Sequence, residues 1–240
     1  MGKKLKIFLG ASYLIILLLF LYYLFSNIEL SRLNEFSYYK QLQINISNFV
    51  GTNFYFNIFL FFIFAVIWIL LLGFGSPILI LSGIFFGKWI GTFVSVISIS
   101  FGALLLYVTA NYFFKEFINQ FFGKKFSKYV IAFKKNEFYY LFAFRFVGGL
   151  GIPFGLQNIL PVIFNISKFN YFFSSLLGFI PNFFIWNTVG AGINKYIAKS
   201  ETFSIISLVL SEEIYIPLIM FFILIIISIF IKKRLFNDRL

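Results

Sequence analysis

Long apolar runs alternate with short polar stretches along this chain, and two of the apolar runs are broken by glycine and proline. Residues 7–25 form the first run, after Lys3, Lys4 and Lys6; residues 26–52 are mixed and nearly neutral. Residues 54–72 are apolar up to Gly73-Phe74-Gly75-Ser76-Pro77. The apolar stretch 78–87 is too short to cross a bilayer, which takes about 20 residues, whereas 90–113 can cross. In 114–137 the apolar residues Phe114, Phe117, Ile118, Phe121, Phe122, Phe126, Tyr129, Val130 and Phe133 recur at helical spacing among lysines. This predicts an interfacial helix, or two with Gly123 between them. Residues 138–147 are short and apolar before Gly148-Gly149-Leu150-Gly151-Ile152-Pro153, and 153–166 are short after it. Residues 169–187 can span, 191–201 are polar, and 214–231 form a last span before Lys232-Lys233-Arg234.

The two breaks carry the most information. In lipid every backbone N–H and C=O must be satisfied within the protein, so a broken helix survives only beside protein or a watery cavity. A matched pair of interruptions, one in each half, points to a transport site near the middle of the membrane. Gly75 and Pro77, like Gly151 and Pro153, read as the turns of two hairpins, since glycine permits positive φ and proline stops a helix. Gly83, Gly87 and Gly91 recur every four residues, a spacing that lets helices pack closely. Gly178, Pro181 and Asn182 predict a kink in the later span.

Charge chooses between two topologies. If 54–72 crossed the membrane, the lysines of 114–137 would face outward, against the positive-inside rule. If 54–87 and 138–166 are re-entrant hairpins entering from opposite faces, every basic cluster falls on one side, while Glu201, Glu212 and Glu213 lie on the other. The expected fold is therefore an all-α integral membrane protein. It is an inverted repeat of re-entrant helical hairpin plus transmembrane helix, with flanking N- and C-terminal spans. Residues 1–53 would hold the first span and an extracytoplasmic loop, 54–192 the repeat, and 193–240 a second loop, the last span and a basic tail. Phe25-Ser26-Asn27 lacks the small residues of a cleavage site, so 7–25 reads as an uncleaved span with both chain ends cytoplasmic.

Composition narrows the function. The 240 residues are 61% hydrophobic and 12% charged, against about a quarter charged in soluble domains. Cysteine and histidine are absent, which excludes disulfides, Ser-His or Cys-His catalysis and ordinary zinc sites. No enzyme activity, cofactor or metal is expected. The net charge of +12 comes from lysines flanking the spans, so anionic lipid headgroups, not nucleic acid, are the expected partners. No carboxylate lies between Glu35 and Glu116, so the first hairpin has no proton carrier of the kind pumps use; Glu137 stands at the mouth of the second.

Arg145, in Phe144-Arg145-Phe146, is the sharpest candidate for chemistry. An arginine at membrane depth costs at least about 2.5–3.5 kcal/mol and needs a cavity, a partner or an anionic headgroup. Its planar fork suits phosphate; snorkelling to the surface is the alternative. Gln157 and Asn158 are buried amides that either satisfy broken backbone or bind a headgroup. Trp89 and Trp186 read as interfacial anchors.

At these residues the chain resembles a known family. Pro77 to Gly102-Ala103, with Gly83, Phe86-Gly87 and Gly91, is similar to the first half of the VTT domain of the SNARE-associated Golgi protein family, within the DedA superfamily. Arg145, Pro153, Asn158, Ile166-Ser167, Tyr171, Gly178, Pro181 and Gly190 resemble its second half. The resemblance covers roughly 54–192. It implies opposed re-entrant hairpins and movement of phospholipids or a polyprenyl phosphate between leaflets, with a headgroup role for Arg145. The sequence departs from DedA proteins proper in lacking their glutamate beside the first hairpin's prolines. It also carries Asn111 where many relatives have arginine. Translocation without energy coupling is therefore favoured over pumping. An ion-coupled carrier of a small solute and a non-transporting membrane scaffold are the alternatives. The expected location is a bacterial plasma membrane.

Overall fold

The computed structural model describes residues 35–71, 74–202 and 204–232, with isolated positions before 35. The run 7–25 with its lysines, Gly73, and Lys233-Arg234 lie outside the described residues. Among the described residues every regular element is a helix. These are α1 Phe36–Thr52, α2 Phe54–Leu70, α3 Gly75–Phe113, α4 Lys115–Lys135, α5 Glu137–Phe146, α6 Phe154–Ile159, α7 Lys168–Lys199, α8 Ile205–Val209 and α9 Glu212–Lys232. Short 3-10 helices at Gly148–Gly151 and Leu160–Phe164 flank α6.

Among the described residues, α3, α7 and Glu212–Ile231 of α9 are long and apolar enough to cross a membrane. The pair α1 and α2 would add a fourth span but is bent by 107°. Phe222, Ile226 and Phe230 of α9 are 63%, 54% and 70% exposed. Such large apolar surface has no place in water, and lipid is the solvent that accepts it. The chain is an all-α integral membrane protein.

Helix α7 is the axis of the molecule. The arm of α3 after Gly87 runs antiparallel to it: Tyr107 stacks on Tyr171 at 4.4 Å near one end, and Trp89 lies 4.9 Å from Phe184 towards the other. Two hairpins lie along α7 from opposite ends. In the first, α2 folds back on the arm of α3 before Gly87, with Phe61 5.4 Å from Phe86, and Trp68 Nε1 donates to the Phe74 carbonyl at 2.8 Å across the turn. This hairpin lies on the C-terminal half of α7. A side chain at Gly83 would strike the Asn187 backbone, and one at Gly190 the Ile80 carbonyl. Small residues are needed there because the helix backbones touch.

The second hairpin, α5 to Phe164, lies on the N-terminal half. Asn136 caps α5 by accepting from the Tyr139 N–H at 3.0 Å. Glu137 accepts from the Ser167 N–H (3.0 Å) and Asn170 Nδ2 (2.9 Å), pinning the hairpin's base to the start of α7. Partial burial pushes this carboxyl up, but the bonds from Asn170 and Ser167 outweigh it and hold the group below the ordinary glutamate value. The tips of the two hairpins meet beside the middle of α7. A Cβ at Gly75 would lie 3.5 Å from the Phe154 ring, itself 5.7 Å from Phe179.

Several expectations need correction. Residues 36–52 are helix, not loop, because apolar residues such as Tyr39, Leu42, Ile46 and Val50 share one face. Helix α7 continues through the polar residues up to Lys199, whereas the expected segment 114–137 is one helix through Gly123, the first of the two readings. Gly87 is not a packing residue. Its φ of +74° makes it the bend within α3, and nothing stands where its Cβ would be. Gly75 and Pro77 do not form the first turn but open α3, where proline's missing N–H costs nothing. Gly151 (φ +81°) does lie in the second turn, and Pro153 caps α6.

Candidate functional site

Arg145 is in the last turn of α5 and is 1% exposed. It does not snorkel. Gly178 makes this possible: a Cβ there would lie 2.5 Å from Arg145 Cβ, so α5 lies directly on α7. Arg145 Nη2 donates to Tyr171 Oη at 2.8 Å, and the same hydroxyl donates to the Asn158 carbonyl at 3.0 Å. The guanidinium carbon also lies 4.7 Å from the Phe179 ring centre, a cation–π contact. Tyr171 is held from behind by Tyr107, whose hydroxyl donates to the Ile166 carbonyl at 2.5 Å.

What the guanidinium lacks is more informative. Arg145 Nε and Nη1 are buried without a hydrogen-bond partner. No carboxylate pairs with the group; among the described residues the ion pairs are Arg32–Glu35 and Lys195–Glu213. Nearly all buried polar groups are satisfied, and unpaired buried donors cost about 1–3 kcal/mol, more for a charged group. The two free nitrogens therefore mark a place for an acceptor carrying negative charge.

Such a place exists. A cavity of about 260 Å³ lies between the hairpin tips, bounded by Gly75 and Ser76 of the first, Gly148 and Gln157 of the second, and Asn182 and Trp186 of α7. Arg145 forms part of its wall.

The residues singled out from sequence divide into three groups. Arg145, Gly75 and Gln157 line this cavity together. Gln157 also satisfies broken backbone, donating from Nε2 to the Ile152 carbonyl at 2.6 Å and the Gly148 carbonyl at 3.3 Å. The Asn158 side chain is fully buried with neither its nitrogen nor its oxygen bonded. Gly83, Gly91 and Gly178 sit at helix contacts away from the cavity wall: a Cβ at Gly91 would lie 2.6 Å from Asn187 Oδ1. Trp186 is half-buried, lines the cavity and lies 5.8 Å from Phe221.

Phe179 and Asn182 had no assigned site role, and Tyr171 entered only through a resemblance. The usable signal was Arg145 itself. A buried guanidinium requires nearby acceptors, and the hydroxyls of the following span were the ones within reach.

Comparison with known families matches residues 71–192 to the VTT domain, the domain of the SNARE-associated Golgi protein and DedA proteins. The match covers half of the 240 residues. The chain belongs to the VTT-domain family. Every residue of the cavity wall falls inside the matched region of this VTT-domain protein, whereas α9 falls outside it. No solved structure matches the chain.

Proposed function

We propose that this VTT-domain protein moves a phosphate-bearing lipid between membrane leaflets through the space between its two hairpins. VTT and DedA proteins are often proposed to be transporters or lipid flippases. The observation that carries the reading here is Arg145: buried, without a carboxylate partner among the described residues, with two unbonded nitrogens, and part of the wall of a cavity bounded by both backbone breaks.

In this reading the hairpins are re-entrant and their tips meet at mid-membrane. Arg145 takes the headgroup phosphate, Tyr171 holds the guanidinium in place, and the acyl chains lie outside this cavity. The lysines of α4 stand at the base of the second hairpin, where Lys115 Nζ donates to Asn165 Oδ1 at 3.1 Å. At the opposite end Lys88 and Lys195 share a cavity with Glu212 and Glu213. The unbalanced basic end is the cytoplasmic one by the positive-inside rule, in a bacterial plasma membrane. The first hairpin contains no carboxylate, so movement runs down the lipid's own gradient.

The test is transbilayer movement of a fluorescent phospholipid, and separately of undecaprenyl phosphate, in vesicles containing purified protein without an ion gradient. Wild type should move at least one of them, and Arg145→Met should lose that movement while keeping its helical content. Movement by the folded Arg145→Met variant at the wild-type rate would remove the arginine from the path. Uptake of a soluble anion, with neither lipid moved, would give the solute-carrier reading instead.

A further inference from the structure

A second space adjoins the cavity at Arg145. It is a groove of about 370 Å³ between the tip of the second hairpin and α9. Val147, Gly148, Gly151 and Asn182 form one wall; Phe221, Leu224, Ile225, Ser228 and Ile229 form the other. The α9 residues fall at i, i+3, i+4, i+7 and i+8, a single stripe of the helix. The stripe is apolar in effect, because Ser228 Oγ is already committed to the Leu224 carbonyl at 2.6 Å.

Gly148 and Asn182 border both spaces. Gly148 has φ +69°, and a Cβ there would stand 3.1 Å from Asn182 Nδ2. A side chain at this point would narrow the junction between the charged space and the apolar one.

We infer that the groove between the second hairpin's tip and α9 holds the hydrocarbon chain of the same lipid whose phosphate meets Arg145, so that α9 forms one side of a lateral portal. The inference rests on the lipid reading above and adds where the chain leaves the protein. Its basis is adjacency: a space walled in part by Arg145 and a mainly apolar groove share Gly148 and Asn182 in their walls, matching a molecule with a phosphate at one end and hydrocarbon at the other. The α9 wall lies outside the matched domain, so this part of the route belongs to the chain's own flanking sequence.

The experiment uses full-length protein in vesicles containing a phospholipid with a diazirine midway along one acyl chain. After illumination, labelled residues are mapped by mass spectrometry. Bulk lipid labels the exposed Phe222, Ile226 and Phe230; a chain in the groove should also label Leu224 and Val147, which are only 8% and 5% exposed. Absence of label on Leu224 and Val147 would overturn the inference even if Arg145 proves essential for movement. Cross-linking of the stripe to a second copy of the chain would also overturn it.

Ser228→Trp should slow lipid movement by roughly tenfold or more, a barrier increase of about 1.4 kcal/mol, whereas Ile226→Trp should leave it unchanged. Equal rates in these two variants would count against the portal. Labelling of Leu224 and Val147 in a protein that moves no lipid would retain the groove as a chain-binding site and reject the translocation reading. The labelling arm needs no substitution, so it stands even if Ser228→Trp does not fold.

Discussion

Arg145 is held by contacts that suit a guanidinium but do not neutralise it. Tyr171 and Phe179 provide one hydrogen bond and two ring faces, and the rest of the group is left desolvated. If the residue were structural, removing it would destabilise the fold. Because it is a buried charge without a counterion, the opposite is expected: Arg145→Met should raise stability while lipid movement is lost. Tyr171 keeps its bond to the Asn158 carbonyl in that variant. Thermal unfolding of purified wild type and variant in the same detergent checks the sign. Glu137 shows a different logic. Its carboxylate is favoured in the folded state by Asn170 and Ser167. A depressed folded value means that this contribution is complete above the ordinary glutamate value and is lost as pH falls through the depressed one. Acidification should therefore loosen the base of the second hairpin, read as lower amide protection factors in α5 once the intrinsic pH dependence of exchange is divided out. Glu137→Gln should keep constant protection factors across that range.

At the scale of elements, glycines with the same sequence spacing do different work. Gly83 and Gly91 lie where α3 touches α7, and Gly87 between them is a bend in open space. Substitution separates the roles. Gly87→Ala should cost about 1–3 kcal/mol from its backbone conformation alone, and Gly87→Leu should cost little more, because nothing crowds the site. At Gly83 the penalty should grow from alanine to leucine, since each added carbon pushes α3 off the Asn187 backbone. Unfolding midpoints for the four variants test this; equal penalties for alanine and leucine at both sites would dissolve the distinction. Two elements escaped sequence reading. Helix α1 was missed because its apolar face is interleaved with polar residues and forms no continuous apolar run, and the polar end of α7 because hydropathy reports burial in lipid, not helicity. Lys199 still belongs to the helix although it lies beyond the apolar stretch.

For the molecule as a whole, the arrangement around α7 makes a clear claim about sides. Helix α4 joins the base of one hairpin, while Lys195 of α7 pairs with Glu213 of α9 at 2.7 Å at the far end. If the hairpins are re-entrant as proposed, those ends face opposite solutions. The chain has no native cysteine, so single cysteines can be read without background. Lys124→Cys should react with a membrane-impermeant maleimide only when the cytoplasmic face is open, and Lys195→Cys only from the opposite face. Labelling of both from one side would refute the opposed hairpins. The Lys195–Glu213 pair itself is exposed and worth little to stability, so Lys195→Cys should leave the fold intact.

The sequence alone determined the solvent, the helical class and the sites of the two breaks. Each follows from local chemistry: runs of apolar residues long enough for a bilayer, and glycine and proline where a helix cannot continue. It also singled out Arg145, because a charge in an apolar limb is conspicuous without any structure. It could not assign Gly87 or separate the backbone bonds of Gln157 from the unbonded side chain of Asn158. Nor did it reveal that the cavity at Arg145 adjoins a groove under α9. Those outcomes depend on which surfaces meet across α7, from Gly83 against Asn187 to Gly178 against Arg145. Contacts between residues far apart in the chain are fixed by packing, and no local pattern encodes them.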